Sequence, residues 1–313
     1  MNNYHLYEEI GQGKLSTVYK GRRRGTISYV SIKSVDKSKR NRVMNEVCIS
    51  NELCEHAVSV PHHNGAHICQ LLNWYETRNH LWTVSEYCAG GDLARVLKED
   101  GQLPESNVLD FSTQILAGLL ALHSAGIVFA DMKPSNVLFV ENGSIKLSGF
   151  SVSQRIVDLE VCLKEGKQVA RRGSPFYMAP ELFRDHGFHS FASDIWGLGV
   201  VIYEMIFGTT PFGHSRSFQE LSKHVLDMRP VVLPAGGSVK LRSLLERMLT
   251  KDPRKRLGWL ALATDPWWGP PNESWRQIIE NSAIQTTQIR LEKKFIDSFD
   301  STNSGGSSRV VRE

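Results

Sequence analysis

Long apolar runs are missing from this 313-residue chain. None approaches the ~18 consecutive residues that a membrane-spanning helix needs, so no membrane span is expected. The opening residues, MNNYHLYEEI, lack a basic stretch leading into an apolar run, so no secretory leader is expected either. Cysteine is scarce. The five residues Cys48, Cys54, Cys69, Cys88 and Cys162 are odd in number and form no CxxC pair, which argues against a disulfide scaffold or a structural zinc site and fits a reducing cytosol. Charge of one sign is in small excess. A net charge of +4, with 22% charged residues, is too little to argue for a nucleic-acid partner. The polar bias of disordered chains is absent too, since 41% hydrophobic residues suffice for a sizeable core. At ~100–200 residues per domain, the length allows one large domain or two modest ones. A soluble, intracellular globular protein is what remains.

No internal repeat is evident. The first ~35 residues read as three strands: Leu6 to Ile10, a second through Thr17, Val18 and Tyr19, and a third from Ile27 to Val35. Residues 40–55 read as a helix with Val43, Val47, Ile49 and Leu53 on one face. A longer helix runs from Pro104, which suits a first helical turn, to His123. Val137 to Val140 and Ile145 to Leu147 flank Asn142-Gly143, which predicts a hairpin with a two-residue turn. Ile195 to Phe207 is apolar nearly all round, as a buried helix should be. Residues 272–299 suggest an amphipathic helix with Trp275, Ile278, Ile279, Ile289, Phe295, Ile296 and Phe299 as its apolar members. The final residues, STNSGGSSRVVRE, read as a disordered tail. Strands first and helices after predict an α+β architecture with a small β-rich lobe and a larger helical one.

Gly11 and Gly13 sit between the first two strands, where bare backbone amides can approach phosphates. By itself a GxG hairpin is weak evidence, and Ser16 replaces the third glycine of the longer pattern. Further along come Lys33 in Val30-Ser31-Ile32-Lys33, then Asp131-Met132-Lys133-Pro134-Ser135-Asn136. Gly173-Ser174-Pro175-Phe176-Tyr177-Met178-Ala179-Pro180-Glu181, Asp194-Ile195-Trp196-Gly197 and Asp252-Pro253-Arg254-Lys255-Arg256 follow. In this order and spacing they resemble the protein-kinase signature set over about residues 4–270. YEEIGQGKLSTVYKGRRRGT, NWYETRNHLW and GSPFYMAPE are similar to the Fused/ULK-type serine/threonine kinases, in particular to a degenerate branch whose members often lack catalytic residues.

The resemblance implies a bilobal kinase domain over 1–270, with lobes meeting near residue 86, then an amphipathic helical extension at 271–299 and a tail at 300–313. It implies that Lys33 holds ATP phosphates with Glu46 as its helix partner; Glu52 competes for that place, and otherwise belongs to an exposed face. Glu86, Tyr87 and Cys88 would connect the lobes and bond adenine through backbone groups, while Val18, Ser31 and Leu138 would sandwich the ring. Ser85 would gate the back of the pocket, and its small size implies a deep pocket open to bulky ATP-site inhibitors. Asp131 would be the catalytic base, Lys133 would balance phosphoryl charge, and Asn136 would be a metal ligand. Glu181 with Arg256 and Asp194 with the catalytic loop would be scaffold contacts.

Three departures stand against that pattern. His-Arg-Asp reads Phe129-Ala130-Asp131, so no arginine can grip a phosphorylated loop. Between Ser153 and Ser174 no serine, threonine or tyrosine occurs, so there is nothing to grip. The metal-binding Asp-Phe-Gly reads Gly149-Phe150-Ser151. Mg2+ needs oxygen ligands, ordinarily one or two carboxylates among them, and neutral Asn136 is at best a weak ligand alone. Loss of one transition-state contact costs ~10²–10³ in rate. ATP is thus expected as a ligand and Mg2+ is doubtful, with Lys14 in the glycine loop either a partial stand-in for the cation or a side chain that merely points into solvent. Restoring the carboxylate as Gly149→Asp should raise activity if nothing else is lost.

The expected function is an ATP-binding protein of kinase fold that transfers phosphate weakly or not at all and serves protein partners as a scaffold. The alternative is an active serine/threonine kinase with unorthodox metal handling and protein substrates. By resemblance the setting would be cytoplasmic, at cilia or other microtubule structures. The histidines His62, His63 and His67 belong to a solvated insert rather than a metal site. Residues 155–172 lean towards a partial helix.

Overall fold

A computed structural model describes residues 3–13, 16–59, 66–169, 171–284, 286, 287 and 290. The small lobe is a five-stranded antiparallel sheet of β1 (Tyr4–Gly13), β2 (Ser16–Arg23), β3 (Tyr29–Asp36), β4 (Leu71–Glu76) and β5 (His80–Glu86), ordered β1-β2-β3-β5-β4. Helix α1 (Arg40–Ser59) follows β3. Alternation decides which face each strand residue serves. Val30, Ile32 and Val84 close one small core with Tyr4, while Val35 and Leu81 meet Val43 and Val47 of α1 in another.

The large lobe begins with β6 (Gly91–Asp92), α2 (Leu93–Asp100) and α3 (Glu105–Ser124). Pro104 stands at the N-cap of α3, and its carbonyl accepts from the Val108 amide at 3.0 Å. Short strands β7 (Ile127–Val128), β8 (Val137–Phe139), β9 (Ile145–Leu147) and β10 (Gln154–Arg155) frame the loops that carry the signature residues. The β8–β9 hairpin corrects the two-residue expectation. Its turn holds three residues, Glu141 to Gly143: the Gly143 amide donates to Val140 O and the Val140 amide to Ser144 O, both at 2.9 Å. Gly143 takes φ +79°, the left-handed position that a three-residue loop of this kind reserves for glycine.

Residues 156–164 form helix α4 (Ile156–Lys164), with Ile156 and Leu159 buried. Helix α5 (Phe191–Phe207) is buried along its whole length apart from Glu204, as its all-round apolar sequence requires. Around it lie α6 (Phe218–Leu226), α7 (Val239–Met248) and α8 (Trp259–Ala263). The long C-terminal helix is not seen as one piece. Helix α9 (Glu273–Asn281) stops where Ser282 turns extended at ψ 161°. Ile279 and Ile284 are buried in the large core, and Arg290 pairs with Glu160 of α4 at 2.5 Å. Ile289, Phe295, Ile296 and Phe299, with the tail, lie outside the described residues. Among the described residues no helix is long and apolar enough to cross a membrane.

Candidate active site

Strand register builds the upper wall of the cleft. Val18 pairs with Lys33, and Ser31 pairs with Ser85, so all four side chains share one face of the sheet. Each is half-buried, in contrast with Val30, Ile32 and Val84 on the opposite face. Gly11 and Gly13 line the β1–β2 end, facing Val18 and Ser16 across the strand pair. Lys14 lies outside the described residues. Leu138, half-buried on β8, lies on the large-lobe side.

Lys33 Nζ meets Glu46 Oε2 at 3.1 Å, so α1 sits in its ion-paired position. Glu52 does not compete for Lys33. It accepts from Arg155 Nε at 2.6 Å and is thus more than an exposed face. Glu86 ends β5 and is held structurally: its carboxylate accepts from Lys146 Nζ at 2.8 Å and from the Gln70 amide at 2.7 Å. Cys88 is half-buried beside Cys69. The bond it donates to Cys88, and then burial, push the Cys69 thiol well up, and accepting that bond draws the Cys88 thiol down. Sequence reasoning missed an aromatic cluster at the end of the same strands, where Tyr29 lies between Tyr7 and Tyr87 with Lys20 Nζ 4.6 Å from its ring centre. The signal was there in period-two spacing, since Lys20 and Arg22 continue the face of Val18.

Below the cleft, Asp194 shapes the catalytic loop. Its carboxylate accepts from the Phe129 amide at 2.7 Å and the Ala130 amide at 2.9 Å. Those bonds hold Ala130 at φ +67°, a conformation unfavourable to a side chain. Trp259 Nε1 donates to His123 Nδ1 at 2.8 Å, which leaves Nε2–H to donate to Asp194, also at 2.8 Å. Burial lowers the His123 pKa against the opposing pull of Asp194, in keeping with a neutral imidazole. Phe129 fills the histidine's packing place, fully buried with its ring 5.8 Å from Phe150.

Asp131, Lys133 and Asn136 converge. Lys133 Nζ lies 2.7 Å from Asp131 Oδ2 and donates to Ser174 Oγ at 2.9 Å, and Ser174 Oγ donates to Asp131 Oδ1 at 3.0 Å. Ser174 thus joins the site, a residue quoted in the GSPFYMAPE segment but given no role there. Asn136 Nδ2 donates to the Asp131 carbonyl at 2.7 Å.

Gly149 takes φ +85°, and a Cβ built there would lie 2.6 Å from Asn136 Oδ1. The asparagine amide therefore crowds the room that a metal-binding carboxylate would need. Among the described residues no group of three or more His, Cys, Asp or Glu is placed to hold a metal. The oxygen donors beside Gly149 are the Asn136 amide and, next to it, the Asp131 carboxylate, where Mg2+ ordinarily takes one or two carboxylates. His62 and His63 lie outside the described residues, and His67 Nδ1 bonds the Ile145 carbonyl at 2.9 Å.

Comparison with known proteins agrees with this geometry. The protein kinase domain profile matches residues 4–268. This chain belongs to the protein kinase family. It is 44% identical over 268 residues to the serine/threonine-protein kinase RUNKEL of Arabidopsis thaliana, covering 86% of this chain and 18% of the relative. It is 36% identical over 292 residues to the serine/threonine-protein kinase ULK4 of Mus musculus, covering 86% and 22%. The human serine/threonine-protein kinase ULK3 is 32% identical over 274 residues, covering 85% and 55%. The kinase domain therefore has Fused/ULK-type serine/threonine kinases as its relatives, and the chain spans about a fifth of the length of the first two.

Proposed function

We propose that this kinase domain binds ATP in the cleft between its lobes, transfers phosphate weakly or not at all, and acts as a nucleotide-responsive scaffold for protein partners. The observation that carries the reading is the pairing of an intact Lys33–Glu46 contact with a glycine at 149 whose side-chain space is taken by Asn136. Lys33 and Lys133 would hold the phosphates, and Val18, Ser31 and Leu138 the adenine. ATP would supply binding energy that favours one arrangement of the lobes, which partners then read through their own differential affinity. Phosphoryl transfer is almost wholly positioning and electrostatics, so a site that cannot anchor the metal has little left to offer. Signalling and microtubule-associated roles follow from family likeness alone.

A second reading, an active serine/threonine kinase, is favoured by the complete Asp131–Lys133–Ser174 network. Thermal unfolding with ATP, once with magnesium and once with EDTA, separates the two. A ligand that binds only the native state must raise the melting temperature. A shift that survives EDTA is expected. A shift that requires magnesium, with phosphate incorporation abolished by Asp131→Asn, would establish the second reading. No shift in either condition would refute ATP binding.

A further inference from the structure

Loop phosphorylation ordinarily ties a kinase's regulatory helix to its activation segment, and here both halves of that device are gone. Ala130 replaces the gripping arginine, and residues 154–173 contain no hydroxyl. Helix α1 is nonetheless in its ion-paired position, with Glu46 on Lys33. Something else holds it there.

The contacts are on the next face of the helix. Asn45 Nδ2 donates to Ser153 O at 2.9 Å and lies 3.3 Å from Phe150 O, with Ser151 O at 3.5 Å. Two turns on, Glu52 accepts from Arg155, whose second nitrogen lies 3.5 Å from Asp158 of α4. Residues seven apart share a helix face, so Asn45 and Glu52 both meet the activation segment. Glu46, one residue on from Asn45, points ~100° further round, towards the sheet. A helix is stiff, so fixing the first face fixes the second. The far end of the segment is tied independently: Arg171 donates to the Leu182 and Arg184 carbonyls, and His189 bonds the Arg172 carbonyl.

We propose that Asn45, Glu52 and Arg155 are positioning residues that form a latch in place of loop phosphorylation, holding the Lys33–Glu46 pair closed without any modification. Its consequence for nucleotide affinity rests on the ATP-binding reading above; the latch itself does not. Asn45 supplies hydrogen bonds to backbone that water would otherwise solvate, and the Arg155–Glu52 pair supplies registry between two elements more than a hundred residues apart in the chain.

The test is amide hydrogen exchange of the full chain without nucleotide, paired with ATP affinity, for Asn45→Ala, Glu52→Arg, Arg155→Glu and the doubly swapped protein. Each single change should raise exchange roughly tenfold across 40–56 and 150–164 while exchange in α5 stays unchanged. The double swap should restore much of the protection, which a merely structural surface pair would not require. ATP affinity should fall and recover in parallel. Should Arg155→Glu fail to fold, Glu52→Gln serves as the milder reading of the same contact. Unchanged exchange in the single variants, or a double swap no better protected than either, would overturn the latch. If the unaltered chain shows no ATP binding, exchange still decides the latch, and only the ATP-binding reading falls.

Discussion

At Gly149 the backbone sits at φ +85°, and the space beside it belongs to Asn136. Reinstating an aspartate therefore meets two obstacles, a left-handed backbone and an amide oxygen 2.6 Å from the new Cβ. We expect Gly149→Asp to lose about 1–3 kcal/mol of stability and to gain little transfer activity until Asn136 is free to move. Chemical denaturation together with a phosphate-transfer assay checks this. A fully stable, active variant would show that Asn136 yields without cost. Sequence alone suggested that the carboxylate was the missing part; the structure adds that its place has been taken. Ala130 gives the converse case. It occupies φ +67° with its methyl buried in the large core, so relief of about 1–2 kcal/mol of backbone strain is set against about 0.8 kcal/mol of lost burial, and Ala130→Gly should be tolerated with a small net gain. A lower denaturation midpoint for that variant would contradict the account.

Between elements, the strongest ties are buried and polar. Arg256 grips Glu181 through both nitrogens, at 2.7 and 2.9 Å, with each side chain at most 2% exposed. The same guanidinium also donates to the Ala192 carbonyl at the start of α5 at 2.8 Å. Removing one partner leaves an uncompensated buried charge. Glu181→Gln is expected to cost about 3–5 kcal/mol, read as a fall in denaturation midpoint. A loss below about 1 kcal/mol, the value of an exposed pair, would mean the site admits water. These motifs were legible in the sequence because the family spacing carries them. The partner of Glu52 was not, since Arg155 lies more than a hundred residues away and no local periodicity connects them. The end of α9 at Ser282 was also hidden, because helical spacing of apolar residues continues past the point where the chain turns extended.

For the whole molecule, pH dependence follows from its buried bases. His123 and His189 are held neutral chiefly by burial, so both pKa values lie below the ordinary value of ~6.5. The unfolded chain then binds more protons than the folded one below that pH. Stability must fall on acidification, by up to about 1.4 kcal/mol per pH unit for each histidine until its folded pKa is reached. Lys251, lowered to about 8 by burial, works at the other end: the unfolded chain holds the extra proton between about 8 and the ordinary lysine value, so stability rises with pH there. Denaturation midpoints measured from pH 5 to 10 should therefore climb across both windows. A flat profile between pH 5 and 6.5 would refute the neutral, buried histidines.

By itself the amino-acid sequence determined the architecture and the inventory of the site. Period-two and helical spacing located the strands and the helices around Val43 and Ile195, and the order of short motifs identified the family. Set against the kinase family's pattern, the sequence also showed which groups are missing: the carboxylate at 149, the arginine at 130, and every hydroxyl from 154 to 173. Only the tertiary structure decided what occupies the space they left. Asn136 against Gly149, Ser174 between Lys133 and Asp131, and Arg155 on Glu52 are contacts between segments that no local pattern links. Such contacts are settled when packing fixes distances between elements, because a hydrogen bond depends on separations of a few tenths of an ångström that spacing along the chain does not encode.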